Sequence, residues 1–391
     1  MRIVRKGFII IILISFCGQW VLSQKKGSTN GQPFFQLIYH QGIHWSRTEF
    51  LQDQMEGGYR AFEAKLGFQT LGGELWQQFN RYPKYGVGIH FADEIKGDPD
   101  TTNLGNPFSA FMFYNIPVVR FGRFSLNTNI SAGLSYMNHV YDPATNPYND
   151  VVGSHVNLYF DLNLNMGIRL SERLDLTLGY GMTHYSNGRI QLPQKGLNNW
   201  GWQVGMAYIF GGPDDPFKRA EFVEMEIPEF FPYEEIQLML SFGVTEWQPD
   251  YTPVGVHYLT SSFTADYALR FSERSAVTLG LDIMYDASLT HDIKAFDPAL
   301  VTQIQKTYFG GHIGYQYTID KLTLLFNAGT YFKHYSFDRS FYFARAGGRI
   351  RISDHLAAHI CVKSRNGIRS DYIEWGLAYS IRTYTSDKAK N

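Results

Sequence analysis

The sequence predicts an all-β protein, an antiparallel transmembrane β-barrel arranged as two tandem eight-stranded barrels, with one sixteen-stranded barrel as the alternative. Three observations predict it. The first is long, strict alternation. In "SHVNLYFDLNLNMGIRL" (154–170), Val156, Leu158, Phe160, Leu162, Leu164, Met166, Ile168 and Leu170 share one parity, while His155, Asn157, Tyr159, Asp161, Asn163, Asn165 and Arg169 occupy the other. Period two gives a strand with one apolar and one strongly polar face. Strands of soluble sandwiches usually run ~5–6 residues, so a run this long fits lipid outside and a polar interior. The second is composition: 16% aromatic residues almost equal the 18% charged ones. The third is the connections, in which short turns mostly alternate with long polar loops, as they do in outer-membrane barrels.

In chain order, the first element is a leader at 1–23. Arg2, Arg5 and Lys6 form a basic start, Phe8 to Phe16 an apolar run, and Val21-Leu22-Ser23 a cleavage site before Gln24. This is the pattern of a cleaved signal peptide, and the apolar run is short for a membrane anchor. Phe16 is too bulky for the position before a lipoprotein Cys17. With Cys17 in the leader, Cys361 stands alone in the mature chain and no intramolecular disulfide is available. Past the leader no stretch approaches the ~20 apolar residues that a spanning helix requires.

Residues 24–211 form the first predicted barrel, with strands near 33–41, 57–69, 85–94, 107–118, 122–137, 153–170, 173–186 and 199–210. Long loops fall at 42–56, 95–106, 138–152 and 187–198, and "VRFGR" and "SERL" make short turns. The turn at 70–84 is long enough for an extra short element. Residues 212–233, rich in Pro and acid and without alternation, read as a linker. Residues 234–391 form the second barrel-like domain, with strands near 234–246, 255–271, 274–287, 304–318, 321–334, 341–352, 354–364 and 369–383.

Parity also locates the candidate chemistry. Leu174, Leu176, Leu178, Tyr180 and Met182 form the lipid-facing set of their strand, and the same parity continues to His184 and Ser186. On the returning strand Trp200, Trp202, Val204, Met206, Tyr208 and Phe210 share a parity that reaches back to Asn198. His184, Ser186 and Asn198 therefore converge on the outside of the barrel, at the external end of one hairpin if the N-terminus is periplasmic. A serine hydroxyl becomes a nucleophile when a neighbouring imidazole takes its proton. A third group must hold the imidazole by its Nδ1–H, which an amide oxygen can accept. Asn187 and Gly188 follow the serine and are candidate oxyanion donors. Polar residues at a strand's outer end are expected in any barrel, so the shared parity carries the argument more than His-x-Ser does.

"HYSN" (184–187), the Pro193 and Gly196 spacing in the loop and the aromatic last strand resemble the lipid A 3-O-deacylase family of outer-membrane acyloxyacyl hydrolases. That resemblance is best over 180–210. It implies an eight-stranded barrel in which Ser186 is the nucleophile, His184 the base and Asn187 an oxyanion donor. Where the family places an acid, this chain has Asn198, which fixes a tautomer but stabilises an imidazolium less than a carboxylate would.

The second half lacks the constellation. His334 and Ser336 in "FKHYSFD" share an apparent outer parity, but Phe337 replaces the asparagine, which reads as interfacial decoration. The last hairpin keeps Ser364, with Val362 where the histidine belongs. Asp98 and Asp100 read as a solvated turn, and no metal-ligand spacing is present, so no cofactor is expected. The expectation is a serine esterase removing an ester-linked acyl chain from lipid A or a related lipopolysaccharide glycolipid. It would lie in the outer membrane of a Gram-negative bacterium, among that membrane's lipids, with a homodimer open as an assembly. A formal net charge of -1 gives no reason to expect a nucleic-acid partner. The alternative is a non-catalytic structural, adhesion or pore-type barrel.

Overall fold

The computed structural model describes residues 31–45, 58–94, 104–211, 215, 217–248, 255–293, 301–336, 339–367 and 369–383. The leader at 1–23, the Asp98–Asp100 loop, Phe337 and residues 212–214 and 216 of the connecting segment lie outside them.

Strands form where the alternation runs. The first eight are β1 (Gln32–His44), β2 (Tyr59–Gln69), β3 (Lys84–Glu94), β4 (Phe108–Phe121), β5 (Phe124–Tyr136), β6 (Val156–Arg169), β7 (Leu174–Ser186) and β8 (Leu197–Ile209). Each pairs antiparallel with its neighbour in sequence, and β1 closes on β8 with Phe34 opposite Ile209. A second set follows: β9 (Tyr233–Trp247), β10 (Val256–Arg270), β11 (Ser275–Asp286), β12 (Thr307–Ile319), β13 (Leu322–Lys333), β14 (Tyr342–Arg351), β15 (Leu356–Arg365) and β16 (Arg369–Thr383). Here β16 closes on β9 with Gly376 opposite Ser241.

Two closed eight-stranded barrels result, and the sixteen-stranded alternative is set aside. Closure at eight pairs each edge within its own sheet, which matters where an unpaired backbone group in hydrocarbon costs several kcal/mol. The long turn after β2 holds the short helix α1 (Leu75–Phe79), the extra element its length allowed. A second short helix, α2 (Leu289–Asp292), lies in an external loop where the sequence pattern gave no sign of one.

The two parities separate as lipid and lumen faces must. Leu37, Phe62, Leu164, Trp202 and Met206 are exposed on the outside of the first barrel, as are Leu279, Leu281, Ile313 and Leu377 on the second. Inside the first barrel polar side chains form a hydrogen-bonded ladder. Asn165 donates to Asn163 (3.0 Å), Asn163 and Asn129 both donate to Asp161 (2.7 and 2.9 Å), and Lys65 donates to Asn129 (3.3 Å). A small cavity beside this ladder is lined by Gln36, Lys65, Asn129, Asn163, Asn165 and Gln203. Ion pairs cross the second lumen: Arg345 bonds Glu374 (2.6 Å) and Asp282 (2.9 Å), and Lys363 bonds Asp371 (2.8 Å). Polar side chains thus occupy the first lumen, while a larger cavity lined by Glu235, Gln237, Arg270, Gln316 and Arg349 lies at one end of the second.

The connecting segment is extended and tied to the base of the first barrel. Arg219 pairs with Asp175 (2.7 Å), the Val223 amide donates to Leu71 O (2.7 Å), and Phe222 stacks on Tyr82.

Candidate active site

β7 and β8 place His184 and Asn198 directly opposite one another. Both lie on the outward parity, half-buried, and Ser186 follows two residues along the same face of β7. His184 Nδ1 lies 2.7 Å from Asn198 Oδ1. A carboxamide oxygen only accepts, so this contact puts the ring proton on Nδ1 and leaves the Nε2 lone pair free to take a proton. The amide is itself held by the residue after β1: Asn198 Nδ2 faces Trp45 O at 3.5 Å, and the Trp45 amide donates to Asn198 O at 2.8 Å.

Beyond the strand end, the Gly188 N–H donates to Ser186 Oγ at 3.2 Å. The turn after Ser186 therefore brings a main-chain donor up to the hydroxyl oxygen, next to where the carbonyl oxygen of an attacked ester would lie. The Asn187 side chain turns inward, donating to Ser154 Oγ (2.9 Å) and Gln191 O (2.7 Å) and accepting from the Arg189 amide (3.0 Å). In this arrangement both carboxamide hydrogens are engaged and the Asn187 side chain braces the turn that presents Gly188.

Gly196, visible in the sequence only as part of a spacing, forms a wall of the site. A β-carbon there would lie 2.9 Å from His184 Cε1 and 3.6 Å from Ser186 Cβ, and the residue has φ +71°. Only glycine fits comfortably, and it lies against His184 and Ser186 at once. The loop before β6 supports it, since the Gly196 amide donates to Val151 O (3.1 Å).

A histidine–asparagine pair alone is not diagnostic. Inside the same barrel His44 Nδ1 meets Asn199 Oδ1, also at 2.7 Å, with both residues buried. The pairs sit on opposite faces of β8, and the outward one has a serine on its own face.

In the second barrel the matching hairpin is dismantled. The register that sets His184 against Asn198 sets Val362 against Ile373. Ser364 donates its hydroxyl to Gly367 O (2.9 Å) and Ala344 O (3.2 Å). His334 lies just past the end of β13, where its Nδ1 contacts Ser336 O (3.1 Å). Glu374, on the inward parity, is locked to Arg345.

One cluster with metal-ligating chemistry occurs among the described residues. His40, Glu63 and His90 place ligand atoms within 4.8 Å of one another. They come from β1, β2 and β3, so spacing in the sequence gave no sign of them. Lys65 Nζ lies 2.6 Å from Glu63 Oε1 and supplies a positive charge where a cation would be held. The cluster faces the lumen, across the barrel wall from Ser186, and belongs to the interior polar network.

An antiparallel barrel closed on itself, apolar outside and polar within, is a protein of the outer-membrane β-barrel class. Residues 60–207 match the lipid A 3-O-deacylase family, and residues 234–383 match the C-terminal domain of acyloxyacyl hydrolase. The chain belongs to the lipid A 3-O-deacylase (acyloxyacyl hydrolase) family, and with it to the ester hydrolases and outer-membrane deacylases. No curated protein matches it. Similar solved structures include an outer membrane channel from Pseudomonas putida F1, at 9% identity over 92% of this chain and 100% of that one, with a TM-score of 0.19. Pseudomonas aeruginosa OccK3 matches at 10% identity over 90% of this chain and 96% of that one, with a TM-score of 0.21. Likenesses at these scores carry no argument about this chain.

Proposed function

We propose that the protein is a serine esterase that removes an ester-linked acyl chain from lipid A or a related lipopolysaccharide glycolipid, at the outer leaflet of a Gram-negative outer membrane. The observation that carries this reading is the outward-facing His184–Asn198 pair on the same face as Ser186. A water-soluble enzyme keeps its site in a cleft; a site on the lipid face of a barrel suits a substrate that is itself a membrane lipid.

In this reading His184 Nε2 takes the Ser186 hydroxyl proton as Oγ bonds to the ester carbonyl carbon. The Gly188 N–H, which bonds Ser186 Oγ in the resting structure, turns to the carbonyl oxygen and stabilises the tetrahedral oxyanion. Collapse breaks the bond to the sugar oxygen, which leaves with the proton from His184. Water, deprotonated by the same imidazole, then attacks the acyl-enzyme, and the fatty acid departs as Ser186 recovers its proton. Asn198 holds the ring through Nδ1 at both stages. Because it is neutral, it lends the imidazolium less support than a carboxylate would, and a modest turnover follows.

Mass spectrometry of lipid A from cells with and without the protein tests the substrate. Loss of one acyl chain is expected with the wild-type chain and not with Ser186→Ala. Lipid A of unchanged mass with the wild type, or deacylation that survives in Ser186→Ala, removes the assignment.

A further inference from the structure

The turn after Ser186 leaves the first barrel and ends against the outer wall of the second. The Glu246 amide donates to Arg189 O at 2.9 Å, and the Glu246 carboxylate accepts a short bond from the Leu192 amide. His257 Nε2 donates to Ile190 O at 2.9 Å. A β-carbon on Gly188 would lie 2.3 Å from Ile373 Cγ1. The Arg189 guanidinium reaches to 3.8 Å from Asp371, at the mouth of the second barrel. Burial and the nearby Arg365 both push its pKa down, and Asp371 opposes them.

Two features show that these contacts are more than two surfaces meeting. Gly188 and Arg189 are consecutive left-handed residues, with φ +63° and +74°. A non-glycine residue there is disfavoured and needs support from its surroundings. On the outward parities of the second barrel, Leu240 and Phe242 on β9 and Trp375 and Leu377 on β16 are apolar and exposed. Glu246 and Ile373 share those parities but are only 6% and 2% exposed. A carboxylate on a lipid-facing parity would be costly unless used, and the Leu192 amide uses it. Ile373 also occupies the register position that Asn198 holds in the first barrel.

We propose that the second barrel is the positioning clamp of the esterase site: Glu246, His257 and Ile373, on its outer wall, fix residues 188–192 and so the Gly188 N–H that faces Ser186. The position that carries the base's orienter in the first barrel has become an apolar seat for that barrel's own loop. Glu246 and His257 are positioning residues, acting through the loop. This inference rests on Ser186 being the nucleophile.

The test uses the full-length protein in detergent micelles with lipopolysaccharide as substrate. Glu246→Ala is expected to lower kcat by roughly 10- to 100-fold, because a displaced oxyanion donor costs rate. KM should stay within about twofold, since ground-state binding is not what the loop supplies. Glu246→Gln keeps an oxygen acceptor for Leu192 and should stay within about threefold of wild-type kcat. Hydrogen exchange at the Ile190–Leu192 amides should quicken in Glu246→Ala and not in Glu246→Gln, a readout that does not depend on catalysis. If Glu246→Ala loses heat-modifiable migration, His257→Ala, which frees Ile190 O alone, is expected to lower kcat several-fold without changing KM. Wild-type kcat in Glu246→Ala, or in His257→Ala where that variant is needed, overturns the clamp and leaves the serine reading intact. Full activity in Ser186→Ala overturns the serine reading instead, and the catalytic role of the clamp with it.

Discussion

The two barrels share strand number, closure and a last external hairpin that carries a serine, yet their outward faces there differ at two paired positions. The first has His184 opposite Asn198, and the second Val362 opposite Ile373. The serines differ in consequence. Ser186 Oγ accepts from the Gly188 N–H, whereas Ser364 gives its proton to backbone carbonyls. A barrel wall can thus hold a serine at the same place for two purposes. What separates them is whether a base shares the strand face and whether the following turn aims an N–H at the hydroxyl.

The sharpest way to break this comparison is to truncate the equivalent side chain on each side. His184→Ala should lower fatty-acid release by about 10³-fold or more, as loss of a member of a catalytic unit does. Val362→Ala, its counterpart, should leave release unchanged. Both should keep heat-modifiable migration, since an outward position at a strand's end supports little of the fold. Equal activity in the wild type and His184→Ala would place the two hairpins in the same non-catalytic class.

The orienter gives the next largest effect. Asn198→Leu should lose most activity, on the order of 10²-fold, because the ring is no longer held in one tautomer. Asn198→Asp should keep activity and can raise it, since a carboxylate supports the imidazolium that forms in the transition state. Initial rates of fatty-acid release from lipopolysaccharide separate the three. Equal rates throughout would show that the 2.7 Å contact does nothing for catalysis and is structural, as the buried His44–Asn199 pair is.

Strand parity made this much legible in advance. Alternation is a local property, so the sixteen strands, the outward placement of His184 and Ser186, and the cross-strand partnership with Asn198 could all be read from the chain. The long turn after β2 announced an extra element by its length. What was missed depends on contacts between distant segments. Glu246 looks like one more residue near the end of a strand until Leu192, 54 positions away, is seen to use it. His40, Glu63 and His90 meet through three strands at ordinary spacings. The direction of the Asn187 side chain was not legible either: which way a loop carboxamide points is decided by Ser154 and Gln191.

Separating the barrels tests the comparison at lower cost in rate. A chain ending near Phe210 retains the β1–β8 closure, so it is expected to insert and migrate as a heat-modifiable barrel. Without Glu246, His257 and Ile373 its loop loses the support described above, and kcat should fall by about tenfold or more with the substrate still bound. Failure of the truncated chain to fold beside a competent full-length control would show that the first barrel needs the second for more than its loop. Full activity in the truncated chain would show that the loop holds its shape unaided.

The smallest expected effect is the most exacting for the contrast between the two serines. Ser364→Ala removes a hydroxyl that bonds Gly367 O at 2.9 Å and Ala344 O at 3.2 Å, at the turn joining β15 to β16. A neutral hydrogen bond at this kind of site contributes about 1 kcal/mol, so the turn should loosen slightly and the barrel stay closed. No imidazole shares the face of Ser364: Val362 precedes it, and His359 lies on the inward parity, where its Nε2 meets Ser241 Oγ at 2.8 Å. The hydroxyl therefore has no group to take its proton, and fatty-acid release should stay within about twofold of wild type. A loss approaching that of Ser186→Ala, with exchange at residues 188–192 unchanged, would mean that Ser364 takes part in the chemistry. The division into one catalytic and one clamping barrel would then have to be redrawn.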